Sequence, residues 1–145
     1  MRRLLPALAV LVALAGAGCK ATSHTSVSPS LRPGRTVAVT MLDIDFDPAS
    51  IQVSKGDVVR FQFTNRGNLV HEAFIGDAKA QTDHEKAMTS GHDHMTMGDT
   101  ADQLTLAAGK TGQLSHLFDK AGTFYIGCHE VGHYTAGMRI LVTVT

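Results

Sequence analysis

The sequence predicts an all-β sandwich with one short helix. Apolar and polar residues alternate in short runs, most clearly where Val59, Phe61 and Phe63 share one face. Turn-forming residues break these runs at close intervals, at Lys55-Gly56-Asp57, Asn65-Arg66-Gly67-Asn68 and Gly109-Lys110. One stretch, between Asp77 and Ser90, reads instead as a helix, with Asp77 as its cap. Period-two alternation buries one face of each strand, and closely spaced turns suit two packed sheets.

The N-terminal residues stand apart from this pattern. Met1-Arg2-Arg3 is positive, Leu4 to Ala15 is apolar but short for a bilayer span, and Gly16-Ala17-Gly18 leads into Cys19. That order is the pattern of an export signal over residues 1–19. A cysteine after small residues also resembles a bacterial lipobox, in which Cys19 would carry lipid and begin the mature chain, although Gly16 stands where a larger aliphatic is usual. Plain cleavage and an uncleaved anchor are the alternatives. Residues 20–34 are rich in Ser, Thr and Pro and read as a flexible linker.

Strands are expected at Arg35 to Leu42, around Ile51 and Val53 after the Asp47-Pro48 break, and at Val58 to Thr64 and Leu69 to Ile75. The helix follows, inside an insertion at about 77–100. Further strands are expected at Gln103 to Ala107, Gln113 to Phe118, Gly122 to Ile126 and Met138 to Val144. Residues 35–145 thus form one domain, and a hydrophobic fraction of 43% is ample for its core. Thirteen basic residues balance thirteen acidic ones, which leaves no electrostatic footprint for nucleic acid.

Near the C-terminus stands Gly127-Cys128-His129-Glu130-Val131-Gly132-His133-Tyr134-Thr135-Ala136-Gly137-Met138. Its spacing, Cys-x4-His-x4-Met, offers a thiolate, an imidazole and a thioether. A His2Cys trigonal set with a distant axial Met is the ligand set of blue-copper sites. The second imidazole must come from elsewhere, and His71 is the best candidate. With Cys19 lipidated or removed, Cys128 is a lone thiol in an oxidising setting, which metal ligation would explain. A Cys19–Cys128 disulfide is the bland alternative.

With these residues in view, the chain resembles a cupredoxin, the blue-copper family of plastocyanin and azurin, over roughly Arg35 to Thr145. The resemblance lies in Val53-Ser54-Lys55-Gly56-Asp57 before a Phe-rich strand, in His71 after a turn, in Ala121-Gly122-Thr123-Phe124-Tyr125, and in the Cys-x4-His-x4-Met loop. It implies a Greek-key β-sandwich holding one type 1 copper ion, Cu(I)/Cu(II), at one end. By position, His71 and His133 would give nitrogen, Cys128 thiolate and Met138 the axial thioether. Two departures stand out: Glu72 occupies the place of a common Asn that ties the ligand loops together, and Val131 that of a common Pro. A carboxylate beside the ligands could tune the centre.

Other residues have blander readings. His129 alternates to the side opposite Cys128 and is expected near the site or in solvent, not as a ligand. His116 is expected at the surface or in packing, and Met41 in the core or at a strand edge. Asp43, Asp45 and Asp47 read as a solvated strand face. The stretch from His84 to Met97 is rich in soft and imidazole donors: His84, Met88, His92, His94, Met95 and Met97. Such a polar loop could gather additional Cu(I), and His84 and Met88 would share a helix face; chance composition in an exposed insertion is the alternative.

The expected function is an extracytoplasmic one-electron carrier, not an enzyme. The alternative is a copper-handling or tolerance protein that buffers copper; similar His/Met-rich insertions occur in periplasmic copper-tolerance cupredoxins. A metal-free interaction module is a distant third. The expected protein is a periplasmic or membrane-face monomer, touching the membrane only through a lipid anchor and meeting a redox or copper-transfer partner transiently.

Overall fold

Alternation in the sequence becomes alternation in burial. The computed structural model describes residues 34–90 and 101–145. β1 (Arg35–Leu42), β2 (Asp45–Asp47), β4 (Val58–Asn65) and β7 (Thr111–Leu117) form one sheet in the order β2-β1-β4-β7. β3 (Ser50–Val53), β9 (Arg139–Val144), β8 (Gly122–Gly127), β5 (His71–Asp77) and β6 (Gln103–Leu106) form the other, in the order β3-β9-β8-β5-β6. The pairs β1/β4 and β3/β9 are parallel and the rest antiparallel.

The inward faces make one core. Val59, Phe61 and Phe63 of β4 are buried, as are Val39 and Met41 of β1. Ile140, Val142 and Val144 of β9, with Ile51 and Val53 of β3, close it from the other sheet. Burying side chains of this size contributes about 1.5–3 kcal/mol each.

The expected strands are present with small shifts. The strand expected from Leu69 begins at His71, and Leu69 and Val70 are exposed turn residues. β2 lies within the acidic series: Phe46 is buried between the exposed Asp45 and Asp47, as a solvated strand face requires. Met41 is core. His116 is half-buried against Phe118, with Nδ1 at 2.7 Å from Asp102.

α1 (Ala78–Thr89) starts where Asp77 accepts a hydrogen bond from the Ala80 amide at 2.8 Å. It covers β5 from outside, so that strand is buried on both faces: His71, Ala73 and Ile75 alternate with Glu72 and Gly76. The helix buries Gln81 and His84, two polar residues. Among the described residues no helix is long and apolar enough to cross a membrane.

Candidate metal centre

Antiparallel pairing explains how distant residues meet. β5 runs against β8, with Phe74 opposite Gly127, and Gly127 also lies opposite Arg139 of β9. The start of β5, the end of β8 and the start of β9 therefore share one end of the sheet. His71 opens β5, Cys128 follows β8 and Met138 precedes β9.

The ligand loop is closed by its own backbone. Cys128 N–H donates to Met138 O at 3.1 Å, and Met138 N–H to His133 O at 3.0 Å. Gly132 and Gly137 have φ of 85° and 102°, values that side chains other than glycine's rarely adopt. These turns bring His133 back over Cys128.

His71, Cys128 and His133 each offer one ligand atom, all within 4.8 Å of one another. Cys128 Sγ is 3.3 Å from His133 Nδ1 and 3.9 Å from His71 Nδ1. A metal about 2.0–2.3 Å from each donor fits a triangle of this size. Met138, the expected thioether donor, is buried, and its backbone is bonded to Cys128 and His133. Cys128, a free thiol, is fully buried, and the Glu72 N–H donates to its sulfur at 3.3 Å. Burial pushes the thiol pKa up to about 12, against the pull of the Glu72 and Glu130 amides. Burial, followed by the nearby His133, lowers the His71 pKa and favours the neutral imidazole a metal needs.

Asp43 also belongs to the site, which its place in the acidic series did not suggest. It accepts from Asn68 N–H at 2.7 Å, Asn68 Nδ2 at 3.0 Å and Leu69 N–H at 3.2 Å, and its Oδ1 lies 3.6 Å from His71 Nε2. The Asn68 side chain and amide hold the Asp43 carboxyl below its ordinary value. The turn comes this close because Gly67 lacks a Cβ, which would sit 3.0 Å from His71 Nε2. Asn65 pegs the same turn, donating to Leu69 O and Leu106 O at 2.8 and 2.9 Å.

Glu72 does what the usual Asn does and something more. One carboxylate oxygen accepts the His129 amide at 3.1 Å, tying the two ligand loops, and the other meets His84 Nε2 at 2.8 Å. His129 is buried beside the site, its ring bonded to Glu85 and Gln81. His84 differs from the expectation of a metal-gathering loop residue: it is buried on α1, stacked on Phe74, with Nε2 engaged by Glu72. Met88 is half-buried on the same helix. His92, His94, Met95, Met97 and Cys19 lie outside the described residues.

Comparison with known proteins agrees with this geometry. A family model described as copper binding proteins, plastocyanin/azurin family, matches residues 35–145. The copper-resistant cuproprotein CopI of Pseudomonas aeruginosa is 32% identical, covering 99% of this chain and 97% of its own length. CopI of Rubrivivax gelatinosus is 37% identical over 81% of this chain and 74% of its own. Among solved structures, auracyanin B matches with TM-score 0.66 and 26% identity, covering 79% of this chain and 91% of its own. The fold is also that of auracyanin A, a "blue" copper protein from Chloroflexus aurantiacus, with TM-score 0.62 and 19% identity over 77% of this chain and 100% of its own. Sandwich, ligand loop and family match converge, and the chain belongs to the plastocyanin/azurin family of copper-binding proteins.

Proposed function

We propose that the protein carries single electrons outside the cytoplasm through a type 1 centre held by His71, Cys128, His133 and Met138. Copper binding comes with family membership; the carrier role is supported most by one observation. The donor side chains are closed in, with His133 exposed by only 8% and Cys128 and Met138 by 0%. A bound copper would supply one-electron exchange between Cu(I) and Cu(II).

The chain's own residues favour such exchange. The backbone bonds closing Cys128 to Met138 hold the donors in place, so little need move when the charge changes. Burial excludes water from the sulfur. The edge of His133 is the path to the surface, flanked by the exposed Gly132, Ala136 and Gly137. Val131 beside it is 95% exposed and suits brief contact with a redox partner.

A second reading is favoured by the relatives. A protein named copper-resistant cuproprotein CopI matches nearly the whole chain, and a role in copper tolerance would use the same centre to bind or buffer copper. On either reading the protein works as a monomer in the periplasm or on the outer face of the membrane, where lipid on Cys19 would anchor it. Oxidised, copper-loaded protein should show an intense thiolate-to-copper absorption that disappears in Cys128→Ala. A colourless Cu(II) form would remove the type 1 assignment. Rapid reversible reduction without any copper-sensitive growth phenotype on gene loss would favour the carrier; the opposite pair of results would favour tolerance.

A further inference from the structure

None of His71, Cys128, His133 and Met138 lies on α1, yet the helix is tied twice to residues that directly follow two of them. The first tie runs from His84 Nε2 to Glu72 Oε1 at 2.8 Å, and Glu72 directly follows His71. The second runs from Gln81 Oε1 and Glu85 Oε2 to His129 Nε2 and Nδ1, at 2.7 and 2.6 Å, and His129 directly follows Cys128. The ties are joined, because Glu72 Oε2 accepts the His129 amide at 3.1 Å. Gln81 also donates to Phe74 O and Tyr125 O at 3.0 Å each, gripping β5 and β8 together.

The backbone leaves room for this arrangement. A Cβ on Gly76 would lie 2.7 Å from Ala80 Cβ, and one on Gly127 would lie 2.5 Å from Gln81 Oε1. The buried face of α1 is polar, so the helix is seated by directional bonds whose loss is costly, not by an apolar stripe that tolerates sliding.

We propose that α1 is a positioning element of the copper centre: His84 and Gln81, through Glu72 and His129, fix the Cys128 sulfur relative to the His71 imidazole. This rests on copper being held at His71 and Cys128, and the wild-type spectrum checks that first. Partners behind metal ligands typically carry about 10–100-fold in metal affinity.

The test uses the full chain with four variants. His84→Leu cuts the first tie, Glu85→Ala weakens the second at a partly exposed position, and His84→Gln keeps a donor for Glu72. Lys79→Ala alters the exposed side of the helix, where the lysine side chain is 84% exposed. Chelator competition reads Cu(II) affinity, and optical and electron paramagnetic resonance spectra read the thiolate–copper geometry. Amide hydrogen exchange at His129 and Glu72 in metal-free protein reads the ties without copper.

His84→Leu and Glu85→Ala should each shift the spectrum and lose His129 amide protection, with affinity falling about tenfold or more in His84→Leu. His84→Gln should restore most of both, and Lys79→Ala should change neither. Should His84→Leu not fold, Glu85→Ala decides by the same readouts. Folded variants with wild-type bands, affinity and amide protection would overturn the proposal. A wild type lacking the thiolate band would instead defeat the type 1 reading, while metal-free exchange would still report whether α1 orders the His129 amide.

Discussion

Glu72 and His84 meet at 2.8 Å with both side chains out of solvent. The same carboxylate holds the His129 amide, so Glu72→Leu would strand two buried donors. Each stranded group costs about 1–3 kcal/mol. Urea unfolding of the metal-free protein should show that loss for Glu72→Leu, and a smaller one for Glu72→Gln, whose amide oxygen can still accept one bond.

Asp43 clamps the turn that delivers His71. Asp43→Ala releases three hydrogen bonds to Asn68 and Leu69, so the imidazole loses its fixed approach to Cys128. Copper affinity should fall about tenfold, in line with other groups that orient metal ligands. Asp43→Asn, which keeps an acceptor, should fall between the two in a chelator competition. The lowered Asp43 pKa adds a sign: the clamp contributes fully above the ordinary carboxylate value of 3.8 and weakens as pH falls through the lower folded value.

Much of this architecture was legible because local pattern and tertiary role coincide. β4 and β9 alternate strictly and bury their apolar face. The Asp77 cap marks the start of α1 directly. The loop from Cys128 to Met138 carries its donors at a fixed spacing, and Cys128 and His133 do converge with the remote His71. Other features depend on contacts that no local pattern encodes. The short β2 has one buried residue, Phe46, within an acidic run. Asp43 acts on a turn 25 residues away. His84 looks like a metal-seeking donor because its partner Glu72 lies across a strand–helix contact, and a helix with a polar buried face shows no apolar stripe to reveal it.

Metal-free protein should lose stability at alkaline pH through Cys128. Burial holds the folded thiol at about 12, above the ordinary 9.0. The unfolded chain therefore gives up its proton first. The folded state keeps its full margin below about pH 9 and loses it as pH rises toward 12. The thiol adds a slope of at most about 1.4 kcal/mol per pH unit. Denaturant midpoints from pH 8 upward should fall more steeply for wild type than for Cys128→Ser, whose hydroxyl does not titrate there. Parallel curves would mean that the thiol is hydrated in the folded protein.

At Gly127 strand, helix and ligand loop approach one another closely. An added methyl would lie 2.5 Å from Gln81 Oε1 and 2.8 Å from the Tyr134 ring, which itself stacks on His129 at 4.3 Å. Gln81 cannot swing aside freely, because its amide is bonded to Phe74 O and Tyr125 O. Tyr134 cannot retreat without uncovering His129. Overpacking of this kind costs about 1–3 kcal/mol, and relief must come from displacing α1 or the ligand loop. Gly127→Ala should therefore lower the thermal midpoint of the metal-free protein and alter the thiolate–copper spectrum together. Gly109→Ala is the comparison: its Cβ meets nothing within 4 Å, but its φ of 73° is unfavourable for a side chain, so it should lower the midpoint alone. A Gly127→Ala protein with an unaltered spectrum would show that the loop absorbs the methyl without moving Cys128.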